Sequence, residues 1–252
     1  MATGTVESGR TLRISSSAMP SLGGEPALEP VRIEGDEGLS RLFRYTLTLA
    51  TPEQSGYSGR QAANVAIKQL VGEVLTVHIR LDGRPGAGGS QRHISGLVTR
   101  VRFLRLENRR ALYEAVIEPW LTLATRTNDF RIFQNQTVLA ILSQTLGKYD
   151  FPFEICASQN YPPREFQVQY GESDHDFMAR LMHEWGLYYY FEHAEGAHKL
   201  VVVDDMAAHK PFANAAYETI PFHAAEDTVR EEHCDSFNAC EALQSGRWVT
   251  SD

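Results

Sequence analysis

The chain has 252 residues, 42% of them apolar and 22% charged, with a formal net charge of −8. That profile excludes a mostly disordered or fibrous protein and leaves room for one large domain or two ordinary ones. No block of lysine and arginine stands out, so neither nucleic acid nor an anionic membrane is expected as a partner, and no window approaches the roughly eighteen uncharged apolar residues of a membrane span.

Three cysteines (Cys156, Cys234 and Cys240) are odd in number and sparse, which fits a reducing compartment rather than a disulfide framework. The amino terminus has no basic start followed by an apolar run. Cytoplasmic assembly without a signal peptide is therefore expected, with any exit by another route.

The first half reads as β. "FRYTLTLATP" alternates, with Phe43, Tyr45, Leu47 and Leu49 on one face and Pro52 closing the run. "VLTVHIRL" does the same through Leu75, Val77, Ile79 and Leu81, and "DGRPGAGGSQ" supplies a Gly- and Pro-rich hairpin loop. "HISGLVTRVRFLRL" is a long strand in which Gly96 predicts a bulge or tight bend. Its arginines alternate with apolar residues, as on the wet face of a strand. "ALYEAVIEPW" follows and stops at Pro119.

The period then changes. "NQTVLAILSQTLGKY" puts Val138, Ile141, Leu142 and Leu146 on one helical face, with Gly147 as the stop. "DFPFEI" and "REFQVQY" are short strands on either side of Pro162 and Pro163. A helix over 173–185 and strands over 187–193 and 199–203 complete an α+β section. From Pro221 onward the pattern fades, as though the chain stopped inside a larger protein.

The window "QYGESDHDFMARLMHEWGLYYYFEH" holds most of the candidate chemistry. Its acids, Glu172, Asp174, Asp176, Glu184 and Glu192, are the types a glycosidase pair would use, and a row of tyrosines can stack on sugars. The structural reading is stronger. Ser173 caps a helix, Asp174 and Asp176 favour its positive end, Phe177, Leu181, Met182 and Trp185 share its apolar face, and Gly186 ends it. In "LYYYF", Leu187, Tyr189 and Phe191 face a core, while Tyr188 and Tyr190 cover the other side as wall or subunit interface. His175 and His183 lie about 12 Å apart along such a helix, too far to grip one metal ion, and "HEWGL" lacks the second histidine of a zinc-protease helix. His233, Cys234 and Cys240 match no zinc spacing. "SGYSGR", with Gly56, Ser58 and Gly59, fails the nucleophile-elbow spacing. No phosphate-cradling loop is present.

The order of "RIFQNQTVLAIL", "YPPREFQVQYGESDHDFMARLMHEWGLYYYFEH" and "LVVVDD" resembles the VgrG family, the spike proteins of bacterial type VI secretion systems, and more distantly the tail-hub proteins of contractile phages. Upstream, "FRYTLTLATP", "HISGLVTRV" and "LYEAVIEPWLTLAT" agree in order, so the resemblance covers about 42–205. Its most specific carriers are Gln169, Tyr170, Glu172, Ser173, Asp174, Phe177, Arg180, Leu181, Gly186, Tyr188 and Tyr190. The resemblance implies a homotrimeric structural hub seated on Hcp-type tube rings, with baseplate components and effectors or adaptors as partners. It implies no cofactor, metal or catalytic residue. The small β domain and needle of the family are not in this chain.

The expectation is an α+β, mainly β fold: a barrel-like tube domain with an inserted α+β section, phage tail-hub-like. The boundaries are 1–128 for an amino-terminal barrel-like domain, 129–222 for the α+β section and 223–252 for the start of a second barrel. The competing expectation is a carbohydrate-active enzyme or cell-wall-binding module using the acidic and aromatic window from Glu172 to Glu192.

Overall fold

The structure, a computed structural model, describes residues 4–7, 12–53, 56, 58–81, 91–108, 110–211, 219–223, 233–239 and 241. The chain divides into two compact units, Met1–Arg80 with Gln91–Pro211, and Leu81–Ser90 with Phe212–Asp252.

The first unit opens with strands β1 (Gly4–Glu7), β2 (Leu12–Ser16), β3 (Ser21–Leu22), β4 (Glu25–Pro26), β5 (Glu29–Asp36) and β6 (Arg44–Ala50). A short helix α1 (Gly59–Ala62) precedes β7 (Val74–Arg80), β8 (Gln91–Glu107) and β9 (Arg110–Glu118). Seven of these strands form one antiparallel sheet in the order β1-β2-β7-β8-β9-β6-β5, curled into a half-barrel. The alternation read from the sequence explains the curl's interior. Phe43, Leu47 and Leu49 are buried with Leu75, Val77, Tyr113 and Ile117 in one core. Arg44, Thr46 and Thr48 between them are exposed or half-buried, whereas Thr76 and Val116 on the opposite face of the sheet are also buried. On the outer face Arg100 and Arg102 both reach Glu114, at 3.0 and 2.9 Å. The basic strand is thus a wet face with its own counter-charge. The loop "DGRPGAGGSQ" falls outside the described residues after Leu81, except for Gln91, which opens β8.

Gly96 makes no bulge. The register shifts lie further along β8, at Val98/Arg100 and Phe103/Arg105. Gly96 is instead a close-approach site, since a Cβ there would sit 3.0 Å from the Glu118 carbonyl oxygen and 3.1 Å from the Phe43 ring.

A tight 3-10 segment, Trp120–Arg126, leads into the second half of this unit: β10 (Asn128–Gln136), α2 (Val138–Leu146), β11 (Phe153–Cys156), β12 (Arg164–Ser173), α3 (Asp174–Trp185), β13 (Tyr188–Ala194) and β14 (Ala197–Val203). β10 and β12 pair as a two-stranded ribbon, and β14 lies between antiparallel β13 and parallel β11. Val138, Ile141, Leu142 and Leu146 are buried together with Phe177, Met178, Leu181 and Met182, as the helical periodicity predicts. Gly147 does not end α2 in a left-handed turn. It stays right-handed, and Asp150 takes the positive φ of 53° three residues later.

In the second unit the described residues include one parallel bridge between Phe222 and Cys234.

Candidate functional site

Helix α3 begins as its sequence dictates. The Ser173 hydroxyl accepts the Asp176 amide at 3.0 Å, and Gly186 closes the helix at φ 69°. Asp174 does more than favour the helix dipole. It is fully buried, and four donors converge on its carboxylate. These are Arg131 Nη2 at 3.0 Å, Lys148 Nζ at 3.1 Å, Tyr149 Oη at 2.7 Å and Gln169 Nε2 at 2.8 Å. Gln169 in turn accepts from Arg131 at 2.6 and 2.9 Å. Burial alone would raise the Asp174 pKa; the hydrogen bonds from Gln169, Tyr149 and Lys148, with the lysine's charge, outweigh it and hold the carboxyl below its usual range. Burial, with the hydrogen bond to and charge of the same carboxylate, pushes Tyr149 up to about 12. One buried charge thus ties the start of α3 to β10, to β12 and to the turn after α2.

The other acids of the window are also engaged. Glu172 pairs with Arg180 at 2.5 Å, Glu184 with Arg164, and Asp176 lies 3.3 Å from His175. Glu192 shares Lys199 with Glu154 of β11, at 2.8 and 2.7 Å.

The remaining candidates separate in the same way. His175 and His183 sit on α3 without a shared third ligand, and among the described residues no group of three His, Cys, Asp or Glu could hold a metal ion. In the second unit the His233 ring packs on His223 at 5.4 Å, and Cys234 donates to the Ser236 carbonyl at 3.0 Å; Cys240 lies outside the described residues. Ser58 caps α1, accepting the Gln61 amide at 3.3 Å, so "SGYSGR" marks a helix start.

Trp185 is less central than its spacing implied. It is half-buried, flanked by Tyr161 at 5.8 Å and by the Arg164 guanidinium at 5.1 Å, and Met178 takes the buried place on the apolar face. Trp185→Ala should therefore cost about 1–2 kcal/mol, from lost edge-to-face and cation–π contacts, instead of the about 3–5 kcal/mol of a core tryptophan. A urea midpoint shift matching the larger figure would show that Trp185 is an anchor after all.

The tyrosine strand divides as predicted. Leu187 and Tyr189 are buried, and Phe191 packs against both cores. The reverse side is covered by the chain itself. His209 stacks on Tyr190 at 4.7 Å and on Tyr188 at 5.7 Å, and its Nε2 lies 2.9 Å from the Tyr188 hydroxyl.

The β13–β14 hairpin closes the seam between the two cores. The Ser95 amide donates to His193 Nδ1 at 3.1 Å, the Ser95 hydroxyl to the Ala194 carbonyl at 2.5 Å, and the Trp120 amide to His198 Nε2 at 2.8 Å. His193 Nε2 lies 3.2 Å from Glu37, which also receives the Tyr45 hydroxyl. Burial, with the charge of His193, lowers the His198 pKa to about 3, so this ring is neutral and accepts. The unfolded chain binds that proton near pH 6.5 and the folded chain does not. The stabilising contribution is therefore complete above pH 6.5 and is lost as pH falls toward 3. His198→Gln should flatten the stability profile by about 1 kcal/mol between pH 7.5 and 5.5 in urea titrations. Parallel profiles for the two proteins would contradict this role.

These residues make a braced scaffold, not a reaction centre. A family model described as the phage tail baseplate hub (GPD) matches residues 36–252. The chain belongs to that family. Hub proteins of this kind are structural and not enzymes, so the carbohydrate-enzyme expectation is not favoured. The resemblance to type VI spike proteins holds as well. The chain is 34% identical over 223 residues to the type VI secretion system spike protein VgrG1a of Pseudomonas aeruginosa, covering 88% of this chain and 32% of that protein. It is 33% identical to VgrG1c of the same organism, over 91% of this chain and 30% of that one. The hub chain thus spans about a third of the length of the curated relatives it matches. Among solved structures, an E. coli type VI component, the c3393 protein described as similar to phage T4 tail proteins, superposes with TM-score 0.63 at 24% identity, over 79% of this chain and 50% of that one. A tail protein from Neisseria meningitidis gives 0.52 at 12% identity, over 87% and 56%. Both agree with the mainly β, tail-hub-like fold. Among the described residues of the hub chain, no helix is long and apolar enough to cross a membrane.

Sequence reasoning missed β10, the Asp174 network and both seam histidines. Gln169 was noticed only as part of the family string, and Asp174 as an acid at the positive end of the helix. The signal that could have revealed the network is the pair of glutamines, Gln167 and Gln169, at alternate positions of a strand flanked by Arg131 and Lys148.

Proposed function

We propose that this chain is a structural hub of a type VI secretion spike. It assembles as a homotrimer, docks on Hcp-type tube rings and baseplate components, and supports the delivery of effectors or adaptors. The observation that carries the reading is the hub-family match over 36–252, joined to one-third identity with proteins named as type VI spikes. The scaffold suits it: a half-barrel wall, a helix locked to that wall's neighbour by a buried charge, and acids spent on internal pairing. In this reading 1–128 forms the first barrel-like domain, 129–222 the α+β section, and 223–252 begins a second barrel. No catalytic, metal or cofactor residue is assigned, and the protein leaves the cell with the apparatus without a signal peptide.

The test is co-sedimentation of the purified chain with preformed tube rings, with its mass in solution measured separately. Binding to the rings is expected. A chain that never co-sediments with rings or baseplate proteins at any concentration overturns the docking role.

A further inference from the structure

The β10–β12 ribbon turns most of its apolar residues outward. Its register places Phe130 opposite Tyr170, Ile132 opposite Val168 and Gln134 opposite Phe166 on one face. That face points to solvent: Phe130 is 69% exposed, Ile132 62%, Phe166 55% and Tyr170 80%. The other face is turned inward: Gln169 and Arg131 serve Asp174, Gln167 accepts from Arg164 at 3.0 Å, and Phe133 is buried against Phe177 at 5.5 Å. A period-2 strand normally buries its apolar set, because a one-residue slip exposes all of it. Here the buried carboxylate and Phe133 together fix the register and leave the larger apolar set of the ribbon outside and unpartnered.

The face is also shaped in advance. Phe130 and Tyr170 meet edge to face at 5.2 Å, and Phe130 lies over Gly171, where a Cβ would come within 3.0 Å of its ring. Rigid aromatic anchors lose little freedom on binding. The six facing positions carry no carboxylate, lysine or arginine. Of the ions on the same strands, Asp129 pairs with Lys148, Arg131 with Asp174, Arg164 with Glu184, and Glu172 with Arg180. Glu165, exposed on β12, lies outside the six facing positions, so the face itself offers no charge to select an oppositely charged partner. Three aromatics with Ile132 and Val168 offer on the order of 500 Å² of apolar surface, counting roughly 150–250 Å² for a fully covered aromatic. That is near the top of the range for a monomer. It also matches the apolar share, about 65%, of the roughly 800 Å² that each partner buries in a homomeric contact.

We propose that the outer face of this ribbon is a contact surface for a second copy of this chain, an inference that rests on the homotrimeric hub reading. Its neutrality and apolar content suit a permanent contact between copies, in contrast to the more polar surface of a transient partner.

The test is sedimentation of the wild-type chain and of the Phe130→Ser/Tyr170→Ser double variant across a concentration series, with thermal unfolding of each at the lowest concentration. The wild type is expected to associate, and the variant to need at least about tenfold higher concentration for the same association while unfolding at a similar temperature. If the double variant does not fold, Ile132→Lys on the same face gives the same readout. Equal association of wild type and variants overturns the face assignment and leaves the hub reading intact. A wild type that stays a single chain throughout also overturns it, and ring co-sedimentation of that sample then decides the hub reading separately.

Discussion

Replacing Asp174 by alanine should destabilise the fold by about 3–5 kcal/mol, the usual result of removing one partner from a buried ionic cluster. Four donors from three separate places in the chain point at this one side chain, and without it only Asp129 is left beside Arg131 and Lys148. Asp174→Asn should cost nearly as much, although it keeps the shape. The amide would bring two hydrogens of its own toward Arg131, Lys148, Tyr149 and Gln169, all of which donate. Urea denaturation at pH 7 measures both variants. A midpoint for Asp174→Asn close to wild type would mean that the site needs shape and not charge.

Trp120→Ala should be comparably severe, at about 3–5 kcal/mol. Trp120 is fully buried and lies flat on Phe151, with ring centroids 5.5 Å apart and planes 8° from parallel, while Tyr149 closes in at 5.9 Å. The adjoining Leu121, Phe177 and Leu142 are buried in the same core and cannot all collapse into the space of an indole. Trp120→Phe should recover much of the loss, and thermal unfolding of both variants checks it. A wild-type melting temperature for the alanine variant would show that this core repacks freely.

Much of the scaffold was legible because it obeys local periodicity. The strands through Phe43 to Leu49 and Leu75 to Leu81, the helix face of Val138 to Leu146, and the cap and stop of α3 at Ser173 and Gly186 each follow from a few adjacent residues. The misreadings come from long-range partners. Trp185 on its helix face is half-exposed, while Trp120 after Pro119 is a stacking centre, because Phe151 and Tyr149 arrive from elsewhere. Gly96 looked like a bulge, but its reason is the Glu118 carbonyl and the Phe43 ring across the sheet. The candidate site was legible as structure and not as chemistry. The acids of the window were read as the front of a capped helix, but for Asp174 the helix dipole was the smaller part of the reason. The ribbon β10–β12 departs from the pattern rule at Phe130, Ile132, Phe166 and Tyr170, and the partners that set its register, Asp174 for Gln169 and Phe177 for Phe133, come from α3.

The hairpin at the seam also orders the folding of this chain in time. β13 and β14 meet through a short turn and can form early, but their anchors are remote in sequence: Ser95 lies 98 residues from His193, and Trp120 lies 78 from His198. Closing loops of that size is entropically slow compared with forming the hairpin or either helix. The junction between the half-barrel and the helical core should therefore be the last contact made on the way in. By the same logic it should be the first to open, with the amides of Ser95 and Trp120 exchanging with solvent before those of the strands on either side.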